Sequence, residues 1–220
     1  MDVSRLEQII TELPSSETII IDGEVIASSV LLPIIEMDDK LYILVEKRSH
    51  KVSQPGEICF PGGRHDKADV TFEETAIRET IEELGYNRED ITMLGKLGVL
   101  VSHHRSAIHC YVGFIHWKDV ASKRYNKEEV EEIMLLDIDE LMSIEPYIYK
   151  VKVKAVAYED DENGNKIDLF PGKELGIPEK YHNEWSMGYR SIISYDLGSV
   201  KIWGLTGYIL RHFLGIFSKT

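Results

Sequence analysis

A chain of 220 residues can bury a full core as one domain, or as one domain with decoration, and its 43% apolar content excludes a disordered chain. No apolar run approaches the length of a membrane span, so the sequence reads as soluble and globular. The net charge of −13 repels nucleic acid and anionic membrane over long range, so neither is an expected partner; an anionic small molecule would need local positive help, most simply a divalent metal.

In chain order, residues 1–13 predict a short helix closed by Pro14. Its opening, Met1-Asp2-Val3-Ser4-Arg5, has neither an apolar core nor a cleavage-site pattern, so no secretion signal is expected. Strands are predicted at 28–36 and 41–47 around a turn at Met37-Asp38-Asp39-Lys40, then at 91–102 and 108–115. A strand at 131–138 leads into a short helix near 139–143. The alternating run 147–158 meets an Asp160-Asp161-Glu162-Asn163-Gly164-Asn165 turn and an irregular insertion at about 159–190. A hairpin at 191–195 and 199–203 precedes an apolar terminal helix from about 205 to 217. Strands and helices are mixed without regular alternation, which predicts an α/β protein with a mixed sheet between helices, as one domain over 1–220. The two cysteines, Cys59 and Cys110, each lie in an apolar strand-like run and read as reduced thiols of a cytoplasmic protein.

The chemistry concentrates between residues 56 and 87. Thr71 followed by Glu74 is a capping box and Gly85 a C-cap, so a helix is predicted over 72–84. At about 100° per residue, Glu79, Glu82 and Glu83 share roughly one third of its circumference, with Ile77, Ile81 and Leu84 opposite. Three like charges at i, i+3 and i+4 repel, and no lysine lies between Phe72 and Leu84 to relieve them. A hard divalent cation such as Mg²⁺ or Mn²⁺ would do so. On spacing alone, a metal site and a solvated acidic face both stay open. Gly62-Gly63, just ahead, lets the backbone approach a ligand closely.

Together with Arg78-Glu79-Thr80-Ile81-Glu82-Glu83-Leu84-Gly85-Tyr86, this Gly-Gly resembles the Nudix box, G-x5-E-x7-R-E-U-x-E-E-x-G-U with U apolar. Counting from Gly63, the sixth position is Asp69 instead of Glu, eight residues separate it from Arg78, and Thr80 takes an apolar slot. The resemblance implies a Nudix-type α/β/α sandwich and hydrolysis of a nucleoside diphosphate derivative. It implies that Glu79, Glu82 and Glu83 hold the cations, that Arg78 orients a glutamate by an ion pair, and that Gly63 offers a backbone group to the metal. Arg78 and Glu82 are also spaced for a plain i, i+4 salt bridge.

A second resemblance is narrower. Arg48-Ser49, Gly56, Phe60-Pro61-Gly62-Gly63 and Asp66, with Trp203-Gly204-Leu205-Thr206 late in the chain, look like the coenzyme A pyrophosphatase branch of the Nudix proteins. Where many members carry Leu-Arg-x-His, this chain has Val52-Ser53-Gln54-Pro55. The branch implies cleavage of coenzyme A or an acyl derivative to 3′,5′-ADP and 4′-phosphopantetheine. Arg48, Lys51, Arg64 and His65 flank the box as phosphate contacts, Arg48 first because a guanidinium grips phosphate with two hydrogen bonds. Gln54, with Ser102-His103-His104-Arg105, forms a second polar set.

For a general base, a box glutamate or Glu129 is expected, Glu129 because Asn126-Lys127-Glu128-Glu129-Val130-Glu131 resembles the branch's acidic segment facing the box. Trp185, Tyr189 and Tyr195 are either core or a surface for pantetheine or adenine. The other readings are a Nudix diphosphatase acting on ADP-ribose or a nucleotide sugar, and a non-catalytic Nudix-fold binding module. The oligomeric state stays open, a homodimer included.

Overall fold

The computed structural model describes residues 24–102, 106–116 and 125–219. The expected helix at 1–13 and the His103-His104-Arg105 loop lie outside them. Strand β1 (Ile26–Met37) turns into β2 (Lys40–Arg48) through Asp38 and Asp39, both at positive φ. That is the two-residue hairpin geometry whose twist matches its strands. On its other side β1 runs parallel to β6 (Ser106–Ile115), which pairs antiparallel with β5 (Ile91–Val101). Strand β7 (Val130–Asp137) and the two-residue β3 (Ile58–Cys59) pair with β2, and β4 (Gly62–Arg64) pairs with the start of β1. One parallel pair among antiparallel ones makes the expected mixed sheet.

The sheet is buried on both faces because its central strands are apolar on both. Leu31, Ile35 and Leu44 pack with Ala76, Ile77 and Leu84 of helix α1 (Phe72–Leu84). Their neighbours Leu32, Ile34, Ile43 and Val45 pack with Leu210, Phe213 and Leu214 of helix α3 (Gly204–Phe217). The result is a helix–sheet–helix sandwich, with the short helix α2 (Ile138–Ser143) at its margin. No helix among the described residues is long and apolar enough to cross a membrane.

Beyond α2 the structure departs from expectation. Strand β8 (Tyr147–Val156) pairs along its length with β11 (Glu184–Asp196), which starts seven residues before the expected 191. Gly188 sits at a register shift in that ladder, at φ 93, and breaks the alternation by which the strand would have been read. A small hairpin, β9 (Tyr158–Asp160) with β10 (Lys166–Asp168), fills part of the rest. The segment at 159–190 is therefore partly a β-ribbon and not irregular throughout. Strand β12 (Lys201–Trp203) closes this second sheet and hands the chain to α3.

Candidate active site

Helix α1 starts and stops as its sequence dictates. The Thr71 hydroxyl accepts the Glu74 backbone N–H at 3.1 Å, and Gly85 closes the helix in the left-handed conformation. Thr80 can occupy an apolar slot because its hydroxyl donates to the Ala76 carbonyl at 2.7 Å, so the hydroxyl itself is satisfied.

The three carboxylates meet three environments. Glu83 is 5% exposed, and its Oε2 accepts the Gly62 N–H at 2.8 Å. Glu79 is half-buried against Gly63: a Cβ there would stand 2.5 Å from the Glu79 carboxyl carbon, so any side chain at 63 would push the carboxylate aside. Gly62 is equally constrained, since its Cβ would meet the Ser29 carbonyl oxygen and lie 2.7 Å from Val30 Cα. Glu82, 54% exposed at its side chain, faces solvent. Burial pushes the Glu83 and Glu79 carboxyls above the ordinary carboxylate range, and neighbouring negative charge pushes them further.

Arg78 is the cation of the box. It grips Asp69 with two hydrogen bonds of 2.9 Å, from Nε and Nη2, and its Nη1 lies 2.9 Å from Glu79 and 3.1 Å from Glu82. The fork on Asp69 holds that carboxyl well below the usual range. Asp69 is thus the anchor of Arg78, which explains how a shorter acid in a longer linker is accommodated. Both the orienting ion pair to Glu79 and the plain i, i+4 bridge to Glu82 are present.

One group the sequence reading missed stands beside Glu83. Glu46 on β2 is 1% exposed, and burial raises its carboxyl well above the usual range. The charge of Glu46 in turn raises the proton affinity of Glu83. Period-two alternation was the signal that could have found it: Leu44 faces α1, so Glu46 does too.

Glu129 is brought to the same side by the loop before β7. The Asn126 N–H donates to the Glu83 carbonyl at 2.9 Å, and the Ser49 N–H donates to the Glu129 carbonyl at 2.8 Å. From there Glu129 acts electrostatically on Glu46, Glu79 and Glu83.

Arg48 and Gln54 line a cavity of about 330 Å³ with Gly62, Arg190, Trp203 and Thr206. The Arg48 Nε donates to the Ser53 carbonyl at 2.8 Å, which fixes its guanidinium at the cavity wall. The remaining cations sit elsewhere. The Arg64 side chain is exposed while its carbonyl accepts from Arg78, Lys51 pairs with Glu128 at 2.7 Å, and His65 contacts Thr75. Of the aromatic trio, Tyr195 is core, Tyr189 is exposed, and Trp185 packs on Phe170 and Tyr181 within the ribbon.

The donor set suits a hard divalent cation. Among the described residues it offers carboxylates, a glycine cradle beside Glu79, and a buried carboxylate oxygen, Glu46 Oε2, without a hydrogen-bond partner. Glu79, Glu82, Glu83 and a backbone group of Gly63 are the groups that would hold it, and the cation would relieve the crowding of negative charge that burial makes costly.

A carboxylate-lined helix thus leans on a glycine pair inside a helix–sheet–helix sandwich. The NUDIX domain family model matches residues 26–157, and the chain belongs to the Nudix family of hydrolases, whose members generally need divalent metal ions. It is 31% identical to Nudix hydrolase 3 of Caenorhabditis elegans over 195 residues, 87% of this chain and 73% of that protein. It is 32% identical to the peroxisomal coenzyme A diphosphatase NUDT7 of Mus musculus over 123 residues, 56% of this chain and 51% of that one. Among solved structures, a C. elegans Ap4A hydrolase binary complex aligns with a TM-score of 0.44 and 17% identity, covering 52% of this chain and 83% of that chain.

Proposed function

We propose that the protein hydrolyses the diphosphate bond of coenzyme A or an acyl-coenzyme A, giving 3′,5′-ADP and the (acyl-)4′-phosphopantetheine, with Mg²⁺ or Mn²⁺. The observation that carries this is the juxtaposition of the α1 carboxylates with the cavity of Arg48 and Gln54, which share Gly62 as a common wall. The mouse relative's activity on coenzyme A supports the substrate class.

When bound, a divalent cation neutralises diphosphate oxygens and lowers the pKa of a water. The chain does the rest. Glu79, Glu82 and Glu83 would hold the cations, with Gly63 contributing a backbone group. Arg78, locked on Asp69, keeps Glu79 turned toward Gly63. Glu129, on its tethered loop, takes the proton of water as the oxygen attacks phosphorus and the bridging P–O bond breaks. Arg48 and Gln54, with Gly62, receive the substrate's phosphates, and the exposed Arg64 outside that cavity is left as a contact for the substrate's outer part.

The test compares coenzyme A with dephospho-coenzyme A at saturating Mn²⁺, with the products identified by mass. Both present the same diphosphate and differ only at the ribose. A charge-assisted contact of about 1.5–3 kcal/mol predicts a roughly tenfold to hundredfold preference for coenzyme A, shrinking in Arg48→Ala. Equal hydrolysis of both, or preference for ADP-ribose, would remove the coenzyme A reading and leave the metal-dependent diphosphatase.

A further inference from the structure

Glu46 is a buried acid to which the chemistry above gives no task. It sits in the middle of the sheet, paired in register with Cys59 of β3 and Ile133 of β7. Its Oε1 accepts the Cys59 thiol at 3.4 Å, while Oε2 is buried with no hydrogen-bond partner among the described residues. Leaving a buried acceptor unsatisfied costs about 1–3 kcal/mol, and more for a charged one. An apolar side chain like its neighbours Leu44 and Val45 would carry no such penalty. Nothing in the sheet requires an acid there.

What surrounds the orphan oxygen is the site itself. Strand alternation turns Glu46 toward α1; Glu129 and Glu79 act on it electrostatically, and it acts in turn on Glu83. Arg48, two residues along the same strand, is the cation that acts on it; the Arg48 Nε is committed to the Ser53 carbonyl. A single cation shared with Glu83 would satisfy Oε2 and relieve both buried acids at once.

We propose that Glu46 is a further ligand for a hard divalent cation, reaching it from the sheet through Oε2 while the α1 carboxylates reach it from the helix. This rests on the metal-dependent reading of the site. The cation is then clamped between β2 and α1, two rigid elements, and not carried on the helix face alone. The ligand class is Mg²⁺ or Mn²⁺, since every donor is an oxygen.

The test is a Mn²⁺ titration followed by the electron paramagnetic resonance of free Mn²⁺, with apo melting as the check on folding. Three substitutions are compared with the wild type: Glu46→Gln, Glu46→Asp and Glu83→Gln. Ligation predicts that Glu46→Gln weakens Mn²⁺ binding at least roughly tenfold. Glu46→Asp, which keeps the charge but withdraws the carboxylate by one methylene, should weaken it comparably. If Glu46→Asp binds like wild type while Glu46→Gln is weaker, the residue acts only through its charge and the proposal fails. It also fails if neither Glu46 variant changes binding while Glu83→Gln does. Absence of Mn²⁺ uptake by the wild type would remove the metal reading of the whole site along with it. Should Glu46→Gln not fold, Glu46→Asp alone decides.

Discussion

The Gly62-Gly63 pair that opens β4 and the ribbon region running from β8 to β11 both carry glycine and charge, yet they respond differently to what surrounds them. At the pair, a Cβ on either glycine meets backbone or a carboxylate, and every charge nearby has at least one defined partner or a buried neighbour. In the ribbon, Gly164, Gly176 and Gly188 face open space, Tyr147, Tyr149 and Met187 are exposed, and the Lys154–Glu184 pair lies at the surface. Surface pairs of that kind contribute about 0–1 kcal/mol. Constraint marks the part of the molecule where position matters for chemistry.

The largest expected effect follows from removing a ligand. Glu82→Gln or Glu83→Gln should lower kcat by roughly two orders of magnitude or more at saturating Mn²⁺, because the charge that holds the cation goes with it. Steady-state assays on coenzyme A measure this, and near wild-type turnover would take the site away from α1.

Gly63→Ala comes next. The new methyl must displace the Glu79 carboxylate by about 1 Å, a misplacement worth up to about a hundredfold in kcat/KM, whereas the mutation leaves every charge intact. Unchanged kcat/KM would show that the glycine only shapes the turn. Arg78→Lys loses the two-bond grip on Asp69 and should reduce turnover by about tenfold, with Asp69→Asn adding little on top of it.

Proton linkage separates the region in another way. Glu46, Glu79 and Glu83 hold protons more tightly folded than unfolded, so unfolding releases protons above their ordinary value of 4.5. The stability of the metal-free protein should therefore fall as pH rises from that value through their raised folded values. Asp69 works in the opposite sense: its pairing stabilises above its ordinary 3.8 and is lost as pH falls toward its depressed folded value. Activity should climb from pH 6 toward the alkaline side as the carboxyls ionise and become free to ligate. Melting curves and rate profiles across pH check both slopes.

The smallest effect belongs to the ribbon. Tyr189, 71% exposed, should tolerate alanine within about 0.5 kcal/mol and with unchanged kcat/KM. A tenfold loss of kcat/KM would make the ribbon part of the substrate site and erase the contrast.

The same contrast explains what the sequence disclosed. Helix α1 could be read to the residue because Thr71 and Gly85 are local signals, and a helix carries its face in its own spacing. The start of β11 could not, since Gly188 shifts its register and its partner lies far away in β8. Asp69 as the anchor of Arg78 depends on how the linker folds back, which spacing alone does not give. Glu46 was hidden because an acid near a strand's end reads as solvent-facing; only the burial of the α1 face turns it inward.

The central claim is that the acidic face of α1 is built to hold a cation, at the expense of the metal-free fold. Thermal melting of wild type and Glu83→Gln near neutral pH, each with and without Mn²⁺, tests it most directly. The account predicts that Mn²⁺ raises the wild-type melting temperature by several degrees. The metal-free variant should melt at or above the metal-free wild type, because the amide spares the fold the cost of burying and protonating a carboxyl that is ionised when unfolded, and should gain little from Mn²⁺. A variant that melts lower than wild type without metal and keeps the full Mn²⁺ shift would contradict it.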